Sequence, residues 1–377
     1  MPATAGVLLF LAPALGPTLG GLLIPVSGWP TIFLVNVPVG LVGFLGMLRV
    51  PPQATDRGDP SVRFDPLGLV LLAGGLTLAL YGAAEGPLRG WTAPEFWPCW
   101  ASGAALLALS VPWSLRRPHP AVDLRLLRQP EITVAIGLSS LASVVMFVML
   151  FLIPVFLQTV QGLSPLQTGL VLLPQGLVTG LGTVVGDKLP ARYGVRRSVM
   201  LGMGILALCT AALLLVEAGS PAWVIAVVLS GRGLALGLTI QPLLQAMLAG
   251  LGPAGVADAN TLFNVAQRLA GSVGISLLAT FFQVREQVQV ERVLEGLGLP
   301  AGALSVAHGS QLLRDLPTLS ASARERLAQA AVAGFHDTIG LLVVLSLLGL
   351  GTALLLRAGR QTPQSRPWSA SRPGGDR

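Results

Sequence analysis

Ten long apolar stretches divide this chain, and they constrain its fold more than any other feature of the sequence. They cover residues 4–26, 30–50, 66–86, 97–115, 132–156, 165–186, 197–217, 221–248, 258–283 and 333–357. A helix needs about 20 mostly apolar residues to cross the hydrocarbon core of a bilayer. The stretches do not alternate polar and apolar residues as the strands of a membrane barrel do. The pattern predicts an all-α integral membrane protein, a polytopic helical bundle of about ten transmembrane helices.

The composition excludes a water-soluble domain. Hydrophobic residues make up 53% of the chain and charged residues 11%, against about 25% charged residues in soluble proteins. The net charge of +7 is compatible with nucleic-acid binding, but the basic residues lie in short connections rather than in a stripe with interleaved aromatic residues. The histidines and cysteines are scattered, which predicts no metal site and no disulfide framework. We expect the lipid bilayer, and not nucleic acid, as the partner of this surface.

The distribution of arginine and lysine predicts the orientation in the membrane. Alternate connections together with the tail hold 16 of these residues, whereas the opposite short connections hold Arg89 alone. Basic residues mark the cytoplasmic side, so we expect both termini in the cytoplasm of a multi-pass cell-membrane protein. The longer connection 284–332 then lies outside the cell, where it could form one or two surface helices, for example around 319–331.

Small residues in the first stretch form a smooth stripe. Ala12, Gly16 and Gly20 follow one another four residues apart, so they share one helix face along which another helix can approach closely. Pro13 and Pro17 bend the segment at the same spacing. Such a helix persists in a bilayer because neighbouring helices satisfy the freed backbone groups. The stripe predicts a membrane protein whose halves move against each other.

Several short motifs resemble the major facilitator superfamily, and more narrowly its fourteen-span branch of drug:proton antiporters. The segment Gly16-Pro17-Thr18-Leu19-Gly20-Gly21 resembles the antiporter motif of the fifth helix, with Ala12 where that motif usually has glycine. The segment WPTIFLVNVPVG (29–40) resembles the opening of the sixth helix, and FDPLG (64–68) resembles the entry to the branch's first extra helix. PVFLQ with GLSPLQTG (154–169) resembles the junction of the ninth and tenth helices, and Asn264 with QRLAGSVG (267–274) resembles the thirteenth. The resemblance runs from about residue 3 to residue 357.

This resemblance implies a partial major-facilitator fold that exports drugs or other amphiphilic or cationic small molecules by proton-coupled alternating access. It implies a proton gradient as the energy source, no bound cofactor and no enzymatic chemistry. By this resemblance the chain divides into a remnant of the first bundle (1–50), a linker with two extra helices (51–118) and a second six-helix bundle (119–357). The composition of residues 358–377, rich in proline, serine, glycine and arginine, predicts a disordered cytoplasmic tail.

The same resemblance predicts that the first four helices, which carry the acid usually linked to proton coupling, are missing. The apolar stretches hold no acidic residue near their middle. The alternative to an active exporter is a truncated fragment that does not transport without the missing helices or a partner. A membrane-embedded enzyme would need clustered nucleophiles, acids or metal ligands, which the sequence does not show.

Two sets of residues follow from the resemblance as gating candidates. The antiporter motif supplies the first set, which is Ala12, Gly16, Pro17, Gly20 and Gly21. A loop that resembles the family's cytoplasmic gate motif only in part supplies the second, which is Asp187, Leu189, Arg192, Gly194 and Arg196. Asp187 replaces the usual glycine and Ala191 the usual aspartate, so the resemblance does not predict a charge relay in this loop.

Polar residues inside the apolar stretches are candidates for a substrate pathway. They are Gln175, Arg232, Gln241, Asn264 and Gln267. An arginine inside a bilayer is costly, so Arg232 either binds substrate or latches a conformation, or it donates hydrogen bonds to neighbouring carbonyls. The amide side chains either line the pathway or form hydrogen bonds between helices. The pair His336-Asp337 is either a proton acceptor or an interfacial anchor.

Overall fold

A computed structural model of the protein describes residues 16, 20–23, 28, 30–49, 65–89, 94, 96–296 and 321–356, and regular structure in this part is entirely helical. The α-helices are α1 Thr31–Leu34, α2 Asn36–Leu48, α3 Pro66–Arg89, α4 Phe96–Arg116, α5 Pro130–Thr159, α6 Pro165–Tyr193, α7 Val195–Ala212, α8 Ala222–Leu248, α9 Pro253–Gly296 and α10 Ala321–Thr352. Short 3-10 turns occupy Leu124–Arg128, Leu213–Leu215 and Ala353–Leu355.

Eight helical segments of the described chain are long and apolar enough to cross a membrane. They coincide with eight of the ten predicted stretches, so the all-α multi-pass membrane fold is confirmed. Helix α4 matches the stretch 97–115 and is 21 residues long, but it is not among the eight because its tryptophan and proline residues lower its hydropathy. The stretch 4–26 lies mostly outside the described residues.

Local sequence signals place the helix ends. Ser164 and Gln167 form a reciprocal capping box at the start of α6, where Pro165 occupies the first turn; both features are typical of helix N-termini. Asp123 accepts a hydrogen bond from the backbone of Arg125 at the first 3-10 turn. Gly194, with a φ of 84°, forms the one-residue turn between α6 and α7, a conformation that glycine adopts without steric cost.

Helices α5 to α10 pack around a common apolar core. Leu138 and Leu152 of α5 and Ile225 of α8 are fully buried in it. Phe156 of α5 stacks on Phe335 of α10 with 4.5 Å between ring centroids. The α3–α4 pair joins this bundle through α9, where the hydroxyl of Ser276 donates to the carbonyl of Ala83. By contrast, α1 and α2 contain no buried residue.

The connection 284–332 differs from the expectation. Helix α9 continues through residues 284–296 and α10 begins at Ala321, so the described polar residues on both sides extend the two spans. Residues 297–320 of this connection lie outside the described residues. The physical reason is that the sequence from Val284 to Glu295 contains neither glycine nor proline to end the helix. The extension ties the two helices together, because Arg285 forms an ion pair with Asp337 at 3.4 Å.

Candidate functional site

Helices α6 and α8 approach each other through glycine. A Cβ atom on Gly182 would lie 2.6 Å from the carbonyl oxygen of Leu234, and one on Gly186 would lie 2.6 Å from that of Gly237. From the other side, a Cβ atom on Gly233 would lie 2.7 Å from the hydroxyl of Thr179. Small residues at such positions let helix backbones pack closely in a membrane. The two helices therefore form one tightly packed unit.

Hydrogen bonds from Gln241 and Gln245 of α8 to Asp187 of α6 join one end of this pair, and we call this group of residues the clasp. The side-chain amide of Gln245 donates to the backbone carbonyl of Asp187 at 3.0 Å and also to its carboxylate. The amide of Gln241, one turn earlier on α8, donates to the same carboxylate at 3.3 Å. The structure thus joins Asp187, a candidate from the gate-like loop, to Gln241, a candidate from the substrate pathway.

The other gate-like residues surround the turn between α6 and α7. The guanidinium of Arg192 lies over the ring of Tyr193, 5.3 Å from its centroid. Gly194 forms the turn, and Arg196 is half-buried in the first turn of α7. Leu189 lines a cavity of about 390 Å³ together with Tyr193, Arg197, Ser198 and Leu201. In the described chain, an ion pair does not join these arginines to Asp187.

Arg232 is completely buried in the middle of α8. Its Nη2 donates to the backbone carbonyl of Val145 in α5 at 3.1 Å. Within the described chain, its Nε and Nη1 atoms have no hydrogen-bond partner. The neighbouring Gly231 lies against α7, since a Cβ atom there would be 2.7 Å from the sulfur of Cys209. The guanidinium therefore connects α8 to α5 and retains free donors.

The remaining pathway candidates lie on two helices. Gln175 is half-buried on α6, and its backbone carbonyl lies against Gly233 of α8. Asn264 is exposed on α9 and donates to the carbonyl of Asn260 at 2.9 Å, one turn earlier. Gln267 is half-buried one turn later on the same helix. Hydrogen bonds of the described residues do not bring the five candidates into one site.

The antiporter-motif residues are described only in part. Ala12 and Pro17 lie outside the described residues. A Cβ atom on Gly16 or Gly20 would meet no atom within 4 Å, whereas one on Gly21 would lie 2.8 Å from the carbonyl carbon of Pro165 at the start of α6. The described contact between this segment and the second bundle is therefore made by Gly21.

His336 and Asp337 lie in the middle of α10, and both have partners. His336 Nε2 lies 2.8 Å from the carbonyl oxygen of Val216, and Asp337 pairs with Arg285. Nearby, Glu286 is 4% exposed, and its backbone lies against Gly334. In the sequence, Glu286 falls in the connection 284–332. Its burial could not be predicted there, because it depends on the continuation of α9.

The sequence assigned no role to Asp65, which joins three segments of the structure. Its carboxylate accepts hydrogen bonds from the backbone of Gly68 at 3.0 Å, from the indole of Trp113 at 3.1 Å and from the backbone of Ala121 at 3.3 Å. Burial raises the pKa of Asp65, but these hydrogen bonds together with the charge of Arg117 hold the pKa below its ordinary value. The signal in the sequence was an aspartate directly before a proline that opens a helix.

Comparison with known proteins agrees with this architecture. Residues 3–275 match the model of the Major Facilitator Superfamily. The chain is 34% identical, over 74% of its length and 52% of the relative's, to a protein named Multidrug resistance protein B homolog from Mycobacterium tuberculosis (strain ATCC 25618 / H37Rv).

Two further relatives carry names of antibiotic resistance. The Methylenomycin A resistance protein of Streptomyces coelicolor is 27% identical over 70% of this chain and 55% of its own length. The Lincomycin resistance protein LmrB of Listeria innocua is 26% identical over 81% and 64%. The chain spans about half to two thirds of the length of these relatives, from 52% to 64%. This chain belongs to the Major Facilitator Superfamily.

Proposed function

We propose that this chain serves in the export of drugs or other amphiphilic small molecules across the cell membrane. The observation that carries the proposal is the match of residues 3–275 to the Major Facilitator Superfamily. Relatives named for multidrug, methylenomycin and lincomycin resistance support it. Because the chain spans 52% of the first of these relatives, the activity is proposed for the protein with all of its helices in place.

The geometry supports alternating access, in which two bundles rock around a site near the bilayer midplane. The glycine packing of α6 and α8 makes that pair one rigid unit within the second bundle. The contact of Gly21 with Pro165 brings the backbone of the first segment close to the start of α6. The amides of Gln175, Asn264 and Gln267 offer donors and acceptors to a passing substrate.

The energy source and the orientation are part of the proposal. A proton gradient drives the export, as the resemblance to the antiporter branch implies, and a bound cofactor takes no part. Both termini lie in the cytoplasm, as the excess of arginine in alternate connections favours. With this orientation the clasp between Asp187 and Gln245 lies at the cytoplasmic end of the bundle.

The alternative is that the chain alone is inactive and needs the helices that its relatives have in addition. An accumulation assay in a drug-hypersensitive bacterium separates the two. It compares the chain alone, the chain with the first four spans of the Mycobacterium tuberculosis relative co-expressed, and an empty vector. Ethidium accumulation is followed with and without an uncoupler.

We expect uncoupler-sensitive export, seen as ethidium accumulation below that of the vector control. Export by the chain alone or by the co-expressed pair supports the proposed function, and export by the pair only supports the alternative that the chain by itself is inactive. Accumulation equal to the vector control in both cases, with the protein present in the membrane fraction, would overturn the proposed function.

A further inference from the structure

Arg232 is a charged side chain in the middle of an apolar bundle, with zero exposure to solvent. A buried charge is tolerated when it is paired or fully hydrogen-bonded. The carbonyl of Val145 satisfies one nitrogen at 3.1 Å, whereas Nε and Nη1 lack a partner in the described part of the chain. The guanidinium therefore has donors to spare and needs a negative partner.

The carboxylates at the two ends of α8 are too far away to supply that charge. Gln241, which binds Asp187, is nine residues beyond Arg232, or about 14 Å along a helix. Glu217 precedes the first residue of α8, which is itself ten residues before Arg232, or about 15 Å away. These two acids belong to opposite ends of the helix.

The acids of α9 and α10 are equally remote. Glu286 lies beside Gly334, next to Phe335, which stacks on Phe156. Phe156 is eleven residues beyond Val145 on α5, or about 16 Å away. Asp337 is two residues beyond Phe335 on α10, which brings it only about 3 Å nearer to the level of Val145, and it pairs with Arg285.

Asp258, near the start of α9, is also far from Arg232, on the opposite side of its level from Glu286. Gly271 of α9 lies against Phe147, close to the level of Val145. Asp258 precedes Gly271 by thirteen residues, or about 20 Å. Among the described residues, a carboxylate is thus not found at the depth of the guanidinium.

Like two nitrogen atoms of Arg232, two buried hydroxyl groups lack a hydrogen-bond partner in the described chain. The buried side-chain atoms without a hydrogen-bond partner in the described chain are Nε and Nη1 of Arg232, Oγ of Ser143 and Oγ1 of Thr210. Ser143 lies on α5 two residues before Val145, which binds the guanidinium. Thr210 follows Cys209 on α7, and Cys209 lies against Gly231. Each of these four atoms belongs to an N–H or O–H group that can donate a hydrogen bond.

We propose that Arg232, Ser143 and Thr210 form a binding site for a small monovalent anion, enclosed between α5, α7 and α8. An anion that only accepts hydrogen bonds matches a guanidinium and two hydroxyls, and it neutralises the buried charge. The complete enclosure of Arg232 selects an ion of chloride size over the acidic group of a drug-sized substrate. The anion completes the core of the second bundle, and this role is independent of the proposed export.

Thermal unfolding of the purified full chain tests the site with chloride, bromide or gluconate as the only anion at constant ionic strength. Ligand that binds the native state raises the unfolding temperature in a saturable manner. We expect chloride and bromide to raise it relative to gluconate in the wild type and in Arg232→Lys. We expect no halide effect in Arg232→Met, while the control Arg285→Met, at an exposed arginine, behaves as the wild type.

A double variant, Ser143→Ala with Thr210→Val, keeps the charge and removes the hydroxyl donors. We expect it to need about ten-fold more chloride for half of the stabilisation, the loss for roughly one hydrogen bond to a charged group. The proposal is overturned if chloride and gluconate give the same unfolding temperature in the wild type, or if Arg232→Met keeps the full chloride effect. Stabilisation by benzoate but not by chloride would also overturn it, and would assign Arg232 to a carboxylate of the substrate. None of these readouts requires transport, so they are informative even if export fails.

Discussion

Gly186 of α6 lies against Gly237 of α8 so closely that a Cβ atom at position 186 would come 2.6 Å from the Gly237 carbonyl oxygen. Backbone atoms of a packed helix cannot yield as a flexible side chain can. The α6–α8 unit therefore depends on the absence of side chains along this line.

Gly186→Ala should lower the free energy of unfolding by about 1–3 kcal/mol, the usual cost of overpacking a well-packed core. Thermal unfolding of the purified protein in detergent measures this. Gly204→Ala on α7 is the matched control, because a Cβ atom there would meet nothing within 4 Å, and alanine favours a helix over glycine. Equal unfolding temperatures for the two variants would contradict the packing described for α6 and α8.

The clasp at Asp187 depends on acceptor oxygens rather than on a full charge pair. Asp187→Asn keeps an acceptor for Gln241 and Gln245, whereas Asp187→Ala removes the carboxylate that both amides bind. We expect Asp187→Ala to lower stability by about 1 kcal/mol, as for one net hydrogen bond near the surface, and Asp187→Asn to lower it less. Denaturant unfolding of both variants checks the order, and a larger loss in the asparagine variant would contradict it.

Asp65 should make the junction of α3, α4 and the following loop sensitive to acid. Its pKa in the folded protein is below the ordinary value of 3.8, so the stabilisation is present above pH 3.8 and is lost as the pH falls through the lower folded value. Asp65→Asn should remove that acid dependence and cost about 1–3 kcal/mol at neutral pH, because buried N–H donors lose their charged acceptor.

Trp113 reports on this junction, since its indole donates to Asp65 at 3.1 Å. Near-ultraviolet circular dichroism of the tryptophan band in the wild type and in Asp65→Asn measures the transition. A variant that kept the acid transition of the wild type would assign that transition to another group.

Gly21 should be more sensitive to substitution than its neighbour Gly20. A Cβ atom at position 21 would lie 2.8 Å from the carbonyl carbon of Pro165, whereas one at position 20 meets nothing within 4 Å. In the form of the protein that exports ethidium, we expect Gly21→Ala to reduce export and Gly20→Ala to leave it nearly unchanged. Quantified membrane insertion controls for folding, and the reverse order would remove this contact from the mechanism.

The sequence was sufficient for eight of the ten predicted membrane spans, because crossing a bilayer depends on local hydropathy. The ends of the spans were harder to predict from the sequence. The polar residues 284–296 continue α9, and hydropathy does not distinguish a polar helix from a connection. The family could also be predicted from the sequence, because each of its motifs is a short, continuous segment of the chain.

The contacts of the candidate residues could not be predicted, because they depend on how the helices are aligned. Asp187 and Gln245 are 58 residues apart in sequence, and Arg232 and Val145 are 87 residues apart. A shift of either helix by one residue would separate these partners. The sequence identified the polar residues of the spans but not which carbonyl, carboxylate or amide each one meets.

Transport by the purified protein in lipid vesicles tests the central claim most directly. The chain is reconstituted alone and together with the first four spans of the Mycobacterium tuberculosis relative, and movement of ethidium is followed after a pH gradient is imposed. We predict gradient-driven movement that an uncoupler abolishes and that empty vesicles do not show. Movement equal to that of empty vesicles, from protein shown to be inserted and folded, would contradict the assignment of this chain to drug export.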